Sequence, residues 1–114
     1  MSVAKRTVFS KTRVEQTGVG TSDWVLLTKG GAGVVSIQVE SSASSTVTIQ
    51  GTLNIGLSVP TDTVPADEIN AIQDMSGLTS NGLYTIQGPL KAVRINQTVG
   101  AGTSAITVLQ VEGS

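Results

Sequence analysis

The residues of this chain whose types and spacing could support chemistry are four acidic side chains in its middle third, Asp62, Asp67, Glu68 and Asp74. Two carboxylates can act as an acid–base pair, and several can bind Ca²⁺ in a loop. Their spacing lacks the alternating carboxylates of an EF-hand loop. Asp67 and Glu68 also follow Pro65, where acidic residues favour the first turn of a helix. We therefore interpret the four side chains as solvated acids of a loop.

Other catalytic chemistry lacks its usual groups. The chain has no His and no Cys, so it offers no imidazole base, no thiolate and none of the usual transition-metal ligands. Ser and Lys are present, but no motif supports a Ser–Lys pair. The glycine-rich segments 18–20 and 30–33 do not complete a phosphate-binding fingerprint and are predicted turns. We expect no catalytic residue, no cofactor and no metal, and a protein that is not an enzyme.

The charge of the chain favours contact with other proteins. Charged residues make up 13% of it, with a net charge of −1, against about 25% in an average protein. Such a surface repels its neighbours weakly and suits a protein that packs on copies of itself or on a larger partner, although a plain soluble domain is the alternative. With few aromatic residues and no net positive charge, nucleic-acid binding is not expected.

The positive charge is concentrated at the N-terminus. Lys5, Arg6, Lys11 and Arg13 are four of the seven basic residues. We predict residues 1–16 to be a basic arm or a first strand that contacts a partner, the alternative being a solvated strand, and residues 17–114 to be a single domain. No apolar core of a signal peptide follows the first basic residues, and no apolar stretch is long enough to span a membrane. We expect the mature chain to begin at or near Met1 and to be made in a cytoplasm.

The elements that must position any site are short β-strands, because Val, Ile and Thr are abundant and favour strands. Residues 34–40 alternate, with Val35, Ile37 and Val39 on one face. Residues 46–53 alternate too, and we predict that Val47, Ile49 and Leu53 face the core while Thr48, Gln50 and Thr52 face outward. Gly51 falls on the core face, where a missing side chain often marks a close backbone approach. A Ser-rich turn between the two segments predicts an antiparallel hairpin.

Further strands are predicted at residues 83–87, 91–99 and 104–111. The last carries apolar residues on both faces, which indicates a strand that is central in its sheet or covered by a neighbouring subunit. Trp24 lies in an apolar run and is predicted to be in the core. A loop with a helical turn is favoured after Pro65, with an edge strand over residues 71–75 as the alternative. Seven to nine short strands between Gly and Pro turns predict an all-β fold, an antiparallel β-sandwich that is jelly-roll-like or Ig-like.

The segments 82–96, GLYTIQGPLKAVRIN, and 100–110, GAGTSAITVLQ, resemble small virion proteins of tailed bacteriophages. Those proteins show a similar GxYxIxGPxKAxRxN pattern, a Gly/Thr turn and a final xxTVxxLQ. The resemblance covers about 30 of the 114 residues and describes a strand–turn–strand–turn–strand unit. It implies a phage β-sandwich structural protein, of the kind that decorates the capsid, and it implies no active-site residue.

We therefore expect a non-enzymatic virion protein that binds and stabilises the capsid surface, assembled in the host cytoplasm. A tail, neck or fibre component and a host-surface glycan-binding module are the alternatives. The expected partners are the major capsid protein or another virion protein, together with further copies of the chain, for which a trimer would match a capsid threefold site. Beyond the basic N-terminal residues, the predicted interface includes Arg94, Leu109 and Val111.

Overall fold

The computed structural model describes residues 9–27, 34–41, 44–87 and 90–111, which form β-strands and no α-helix. A 3₁₀ turn at Ala66–Glu68 follows Pro65, as the sequence predicts. The alternative edge strand also exists, but it lies earlier than residues 71–75. The strands are, in chain order, β1 Phe9–Thr17, β2 Gly20–Thr21, β3 Val25–Leu26, β4 Val34–Glu40, β5 Thr46–Thr52, β6 Ile69–Ala71, β7 Gly82–Gln87, β8 Ala92–Val99 and β9 Thr103–Val111.

The strands form two antiparallel sheets. The first sheet has the order β1-β9-β4-β7, and the second sheet has the order β2-β8-β5-β6, with β3 also pairing with β8. The two sheets pack face to face around one core, so the predicted all-β sandwich is confirmed. Among the described residues no helix is long and apolar enough to cross a membrane.

The core is built from the inward-facing residues of both sheets. Because alternate side chains of a strand point to opposite faces, each strand contributes every second residue. Most of these residues are β-branched, and their stiff side chains fit a pleated surface. The inner strands contribute Val35, Ile37 and Val39 from β4, Val47 and Ile49 from β5, Val93 and Ile95 from β8, and Ile106 and Val108 from β9, all buried.

The predicted hairpin of β4 and β5 is wrong. β4 pairs with β7 and β9 in the first sheet, whereas β5 pairs with β6 and β8 in the second. The short connection therefore crosses from one sheet to the other, and the apolar faces of the two strands meet across the core. The turn between β8 and β9 makes the same crossing in reverse. Each crossing joins strands that pack on each other rather than strands that share hydrogen bonds.

The predicted orientation of β5 holds through Thr52 and fails at Leu53, which is 67% exposed instead of facing the core. β5 ends at Thr52, so the alternation does not extend to Leu53. Thr52 points outward as predicted, because it pairs with Ala92, which lies on the outer face of the second sheet. Thr52 is nevertheless buried, because the chain that follows β5 covers this part of the outer face. Gly51 makes the predicted close approach, because a Cβ there would lie 3.3 Å from Cγ1 of Ile72.

That following chain is a flap, residues 53–65, which crosses the outer face of the second sheet. Leu57 and Val64 of the flap are buried against Trp24 and Ala92. Trp24 is turned to this outer face by a break between β2 and β3, where the backbone N–H of Trp24 donates to the carbonyl of Pro60 at 2.9 Å. The prediction that Trp24 is a core residue is confirmed, although the core it joins is this smaller one.

A serine maintains the sheet at that break. The backbone N–H of Ser22 donates to the carbonyl of Ile95 at 2.9 Å. Its hydroxyl oxygen accepts from the N–H of Ile95 at 3.0 Å. The Ser22 hydroxyl thus takes the place of a backbone carbonyl. The backbone N–H and C=O of the buried Ile95 both keep a hydrogen-bond partner, although regular strand pairing is interrupted here.

β9 occupies a central position, as its sequence predicts, because it lies between β1 and β4. The turn that leads into it is held by Gln97, which is fully buried on the core face of β8. The amide nitrogen of Gln97 donates to the carbonyls of Gly100 at 2.9 Å and Gly102 at 2.8 Å. These two bonds fix the crossing between the sheets at that end of the sandwich.

Gly100 in this turn cannot be replaced freely. Its φ is +101°, and a Cβ there would lie 2.7 Å from the backbone oxygen of Ser44. We predict that Gly100→Ala lowers the free energy of unfolding by more than 2 kcal/mol, because about 1–2 kcal/mol of left-handed strain adds to a clash with backbone. Gly77→Ala is the matched control, since Gly77 has a φ of +65° and nothing within 4 Å of its Cβ position. Urea unfolding of both variants measures the difference, and equal losses would contradict the clash.

A second pair of variants tests the core. Ile95 is fully buried, whereas Ile55 is 90% exposed. Ile95→Ala is expected to lower the free energy of unfolding by about 2–5 kcal/mol, from lost burial and a residual cavity. Ile55→Ala is expected to change it by less than about 0.5 kcal/mol, as exposed substitutions usually do. Urea unfolding measures both losses, provided that the dependence of the free energy of unfolding on urea concentration is the same in wild type and variants. A loss at Ile95 as small as that at Ile55 would mean that the two sheets do not share a tight core.

Candidate functional site

The predicted interface residues fall on two different faces. Lys11 and Arg13 lie on the outer face of β1, and Leu109 lies directly opposite Lys11 on β9. These three residues are therefore neighbours on the outside of the first sheet. Val111 ends β9 opposite Phe9, at the end of the same sheet. Lys5 and Arg6 lie outside the described residues.

Arg13 is held within the chain. Its guanidinium contacts the carboxylate of Glu40 at 2.8 Å and that of Glu15 at 3.2 Å. The hydrogen bond to Glu40, and then that to Glu15, keep the pKa of Arg13 above its ordinary value. Glu15 and Glu40 flank Ala105 on either side of β9, so the three charged side chains close over that strand. Arg13 covers its own sheet, and Lys11 is left as the cation that extends from β1 without such a pair among the described residues.

Arg94 lies on the outer face of the second sheet, away from the other predicted residues. Its guanidinium carbon stands 4.5 Å from the centre of the Trp24 ring, a cation–π distance. Its Nε donates to Oε1 of Gln50 at 2.9 Å, and burial lowers the pKa of Arg94 below its ordinary value. Arg94 therefore stabilises the flap side of the second sheet and covers the indole face.

The acidic residues do not form a metal site. No group of three or more potential ligand side chains occurs within the part of the chain that the structure describes. Asp62 instead holds a turn of the flap, because one of its carboxylate oxygens accepts from the backbone N–H of Ser58 at 2.8 Å and of Val59 at 3.1 Å. Glu68 and Asp74 lie elsewhere, beside the opening that the sequence did not predict.

That opening is a groove between the two sheets, which we call the β6–β7 groove. A cavity of about 600 Å³ is lined by Gly51 and Ile72 from the second-sheet side and by Ile86 from β7, with Leu53, Leu90 and Glu68 at its margin. A second cavity of about 420 Å³ continues from it, since it shares Ile72 and Ile86 and extends to Met75, Tyr84 and Asp74. Together they border Tyr84, Thr85 and Ile86 of β7. Apolar walls of this shape can receive alternate side chains of an extended segment.

β7 borders the groove as an edge strand. In the described residues it pairs with β4 on one side only. None of its residues is charged, and Leu83 is 78% exposed. β1, the other edge of the first sheet, carries Lys11, Arg13 and Glu15. Charged side chains on edge strands discourage pairing with other chains, and β7 lacks this protection.

The charge of the groove has one sign. Among the described residues that line its two cavities, Glu68 and Asp74 are the charged ones. The one local sign of this surface in the sequence is that residues 82–87 carry no charge. The sequence could not show that β6 and β7, from different sheets, would border the same cavity.

No protein-family model and no curated protein sequence matches the chain. A similar solved structure belongs to the Bacillus endospore appendages, which form a family of disulfide-linked pili. The two chains share 13% identity with a TM-score of 0.44, over 99% of this chain and 96% of the other. A likeness this distant supports no conclusion about function.

The bonds of Asp62 predict a pH-dependent stability. Two backbone N–H groups hold the pKa of Asp62 below its ordinary value of 3.8. A lowered folded-state pKa contributes stability that is complete above the unfolded-state value and is lost as the pH falls through the folded-state value. The urea midpoint of the wild type should therefore exceed that of Asp62→Asn near neutral pH, and the gap should shrink below about pH 4. A gap that stays constant down to pH 2 would show that the charge of Asp62 has no part in it.

Proposed function

We propose that the protein is a non-enzymatic structural component of a tailed-phage virion that acts by binding other virion subunits. The observation that carries this proposal is the β6–β7 groove, an apolar surface bordered by the uncharged edge strand β7. Apolar grooves beside an unpaired edge strand are surfaces that bind extended protein segments. The low charge of the chain supports the same role, because it reduces repulsion at close contact.

The resemblance to phage virion proteins supports the choice of assembly. The segment that carries it, residues 82–110, forms β7, β8 and most of β9. These strands supply the groove edge, a central strand of the second sheet and the central strand of the first. The resemblance thus falls on the framework of the sandwich, which is what a shared structural role requires.

Within the virion, we propose that the protein decorates the capsid surface. A small protein that joins several capsid subunits gains from multivalency, because each further contact forms at a high effective concentration. The exposed Lys11 and the basic residues before β1 are the candidate attachment points. A tail, neck or fibre position would use the same contacts and differs in its location.

A glycan-binding role is disfavoured by the position of Trp24. Sugar rings stack on exposed aromatic faces, whereas Trp24 is 2% exposed and Arg94 lies over its ring. The indole is part of the small core beneath the flap. Opening this site would remove a cation–π contact and expose Leu57 and Val64.

The proposed function is tested on virions of the phage that encodes the chain. We expect the protein in purified virions at a copy number that is a multiple of three, and we expect virions that lack it to release DNA at a lower temperature. Adding back the purified protein should restore the release temperature, because bound copies stabilise the assembled shell by mass action. The variant Lys5→Gln, Arg6→Gln, Lys11→Gln should restore it poorly, whereas Thr98→Gln, exposed on the second sheet, should act as wild type. Absence from virions would refute the proposal, and labelling confined to tails would favour the tail alternative.

A further inference from the structure

We propose that Asn81 is a site of spontaneous deamidation in the folded protein, and that the backbone N–H of Ser41 promotes the reaction. The side-chain amide of Asn81 becomes a carboxylate at the start of the edge strand β7. The inference rests on the residue that follows Asn81, on the hydrogen bond of its amide oxygen and on its place in the sheet. It is independent of the proposed function.

Asn81 differs from the other asparagines of the chain in the residue that follows it. The chain has four Asn residues, and Asn81 alone precedes a glycine, Gly82. In deamidation, the backbone nitrogen of the next residue attacks the side-chain amide carbon of the asparagine. Because Gly82 has no Cβ, its nitrogen is unshielded and its backbone rotates freely toward the geometry of attack. The other three asparagines precede larger residues, in the pairs Asn54–Ile55, Asn70–Ala71 and Asn96–Gln97.

The reaction replaces an amide by an acid and consumes only water. The backbone nitrogen of Gly82 bonds to Cγ of Asn81, an intramolecular attack between groups that the chain holds close together. The bond from Cγ to the side-chain nitrogen breaks, and that nitrogen leaves as ammonia with the proton of the Gly82 N–H. Water then opens the cyclic imide. Opening at Cγ leaves an aspartate, whereas opening at the backbone carbonyl leaves an isoaspartyl linkage, in which the main chain runs through the side-chain carbons.

A backbone N–H already lies where negative charge develops in this reaction. The N–H of Ser41 donates to Oδ1 of Asn81 at 2.9 Å, and Oδ1 becomes the oxyanion when Cγ is attacked. A donor fixed at such an atom stabilises the transition state more than the ground state. Asn54 is the internal comparison, because its Oδ1 accepts from the N–H of Gly56 at 2.8 Å although the residue after Asn54 is not a glycine.

The place of Asn81 in the sheet permits the attack. Asn81 is exposed and precedes β7, whose first residue, Gly82, pairs with Val39 of β4. Among the described strands, β7 has a partner on one side only, so its first residue leaves the ladder at a small cost in free energy. Asn96, by contrast, lies within β8 and is held by pairing with β2 on one side and β5 on the other.

The product changes the edge strand that borders the β6–β7 groove. None of residues 82–87 is charged, and deamidation places a carboxylate directly before them. Charge on an edge strand discourages pairing with other chains. The isoaspartyl product also lengthens the main chain before Gly82, which displaces this residue from its partner Val39. Deamidation therefore converts an unprotected edge into a protected one as the protein ages.

Ageing of the purified, folded protein tests the site. The wild type is kept in mildly alkaline buffer, and peptide mapping by mass spectrometry follows each asparagine. We expect Asn81 to convert about tenfold faster than Asn54 or Asn70, and to yield both aspartate and the isoaspartyl form, because only its neighbour lacks a side chain. Conversion of Asn81 no faster than that of Asn54 would overturn the inference.

Gly82→Ala tests the attacking nitrogen. The added Cβ would lie 2.9 Å from Cε2 of Tyr84, the far end of a side chain that can move. Asn81 keeps its hydrogen bond to Ser41 in this variant, and its conversion should slow about tenfold because the nitrogen is now shielded. An unchanged rate would refute attack by the nitrogen of residue 82.

Variants at Ser41 test the promoting N–H. Ser41→Pro removes this donor, whereas the matched control Ser41→Ala keeps it and removes the hydroxyl, which donates to the carbonyl of Ser45. We expect Asn81 to convert about threefold more slowly in Ser41→Pro than in Ser41→Ala, since a donor to the oxyanion is lost. Circular dichroism establishes that both variants are folded. If Ser41→Pro does not fold, an ester in place of the amide between Glu40 and Ser41, introduced by chemical synthesis, removes the same N–H. Equal rates with and without the donor would refute the role of Ser41.

Discussion

The structure depends on the packing of one apolar face of each sheet against the other. A chain of this length has material for a single core, and Ile37, Ile49, Ile95 and Ile106, all fully buried, occupy its centre. Connections that cross between the sheets, such as those from β4 to β5 and from β8 to β9, meet this requirement because they place consecutive apolar faces opposite each other. Within the described residues, the outermost strands of each sheet pair on one side only, since a sandwich buries faces and not edges.

The alternation of residues predicted which side chains are buried but not which strands pair. The alternate residues of β4 and β5 face the core as predicted, namely Val35, Ile37, Val39, Val47 and Ile49. The predicted hairpin between these two strands nevertheless does not exist. Alternation is the same whether the next strand pairs beside its predecessor or crosses to face it. Leu53 was placed wrongly because β5 ends at Thr52 and the alternation stops there. Thr52 faces outward as predicted, but its burial could not be predicted, because the flap that covers the outer face comes from residues further along the chain. The burial of Trp24 was predictable because this residue lies in an apolar run.

The candidate site was less predictable than the fold. The structure brings Lys11, Arg13 and Leu109 to one face, because β1 pairs with β9, a pairing that the sequence did not predict, and it places Arg94 on the other sheet. The β6–β7 groove joins Gly51, Ile72, Ile86 and Leu90, which are distant in sequence and meet only once the sheet order is known. Its one local sign, a strand without charge, is ordinary in a chain that is poor in charge throughout.

The two edges of the first sheet differ in a way that bears on assembly. A protein that stays monomeric usually carries charged residues on both edge strands, which prevents pairing with other chains. Here β1 carries charged residues and β7 carries none. An unprotected edge invites pairing with any exposed strand, so a further constraint must select the partner. Glu68 and Asp74 supply one such constraint, because they line the groove beside β7. A segment that pairs with β7 meets this negative charge on its inner side, so segments that carry acidic residues there are disfavoured.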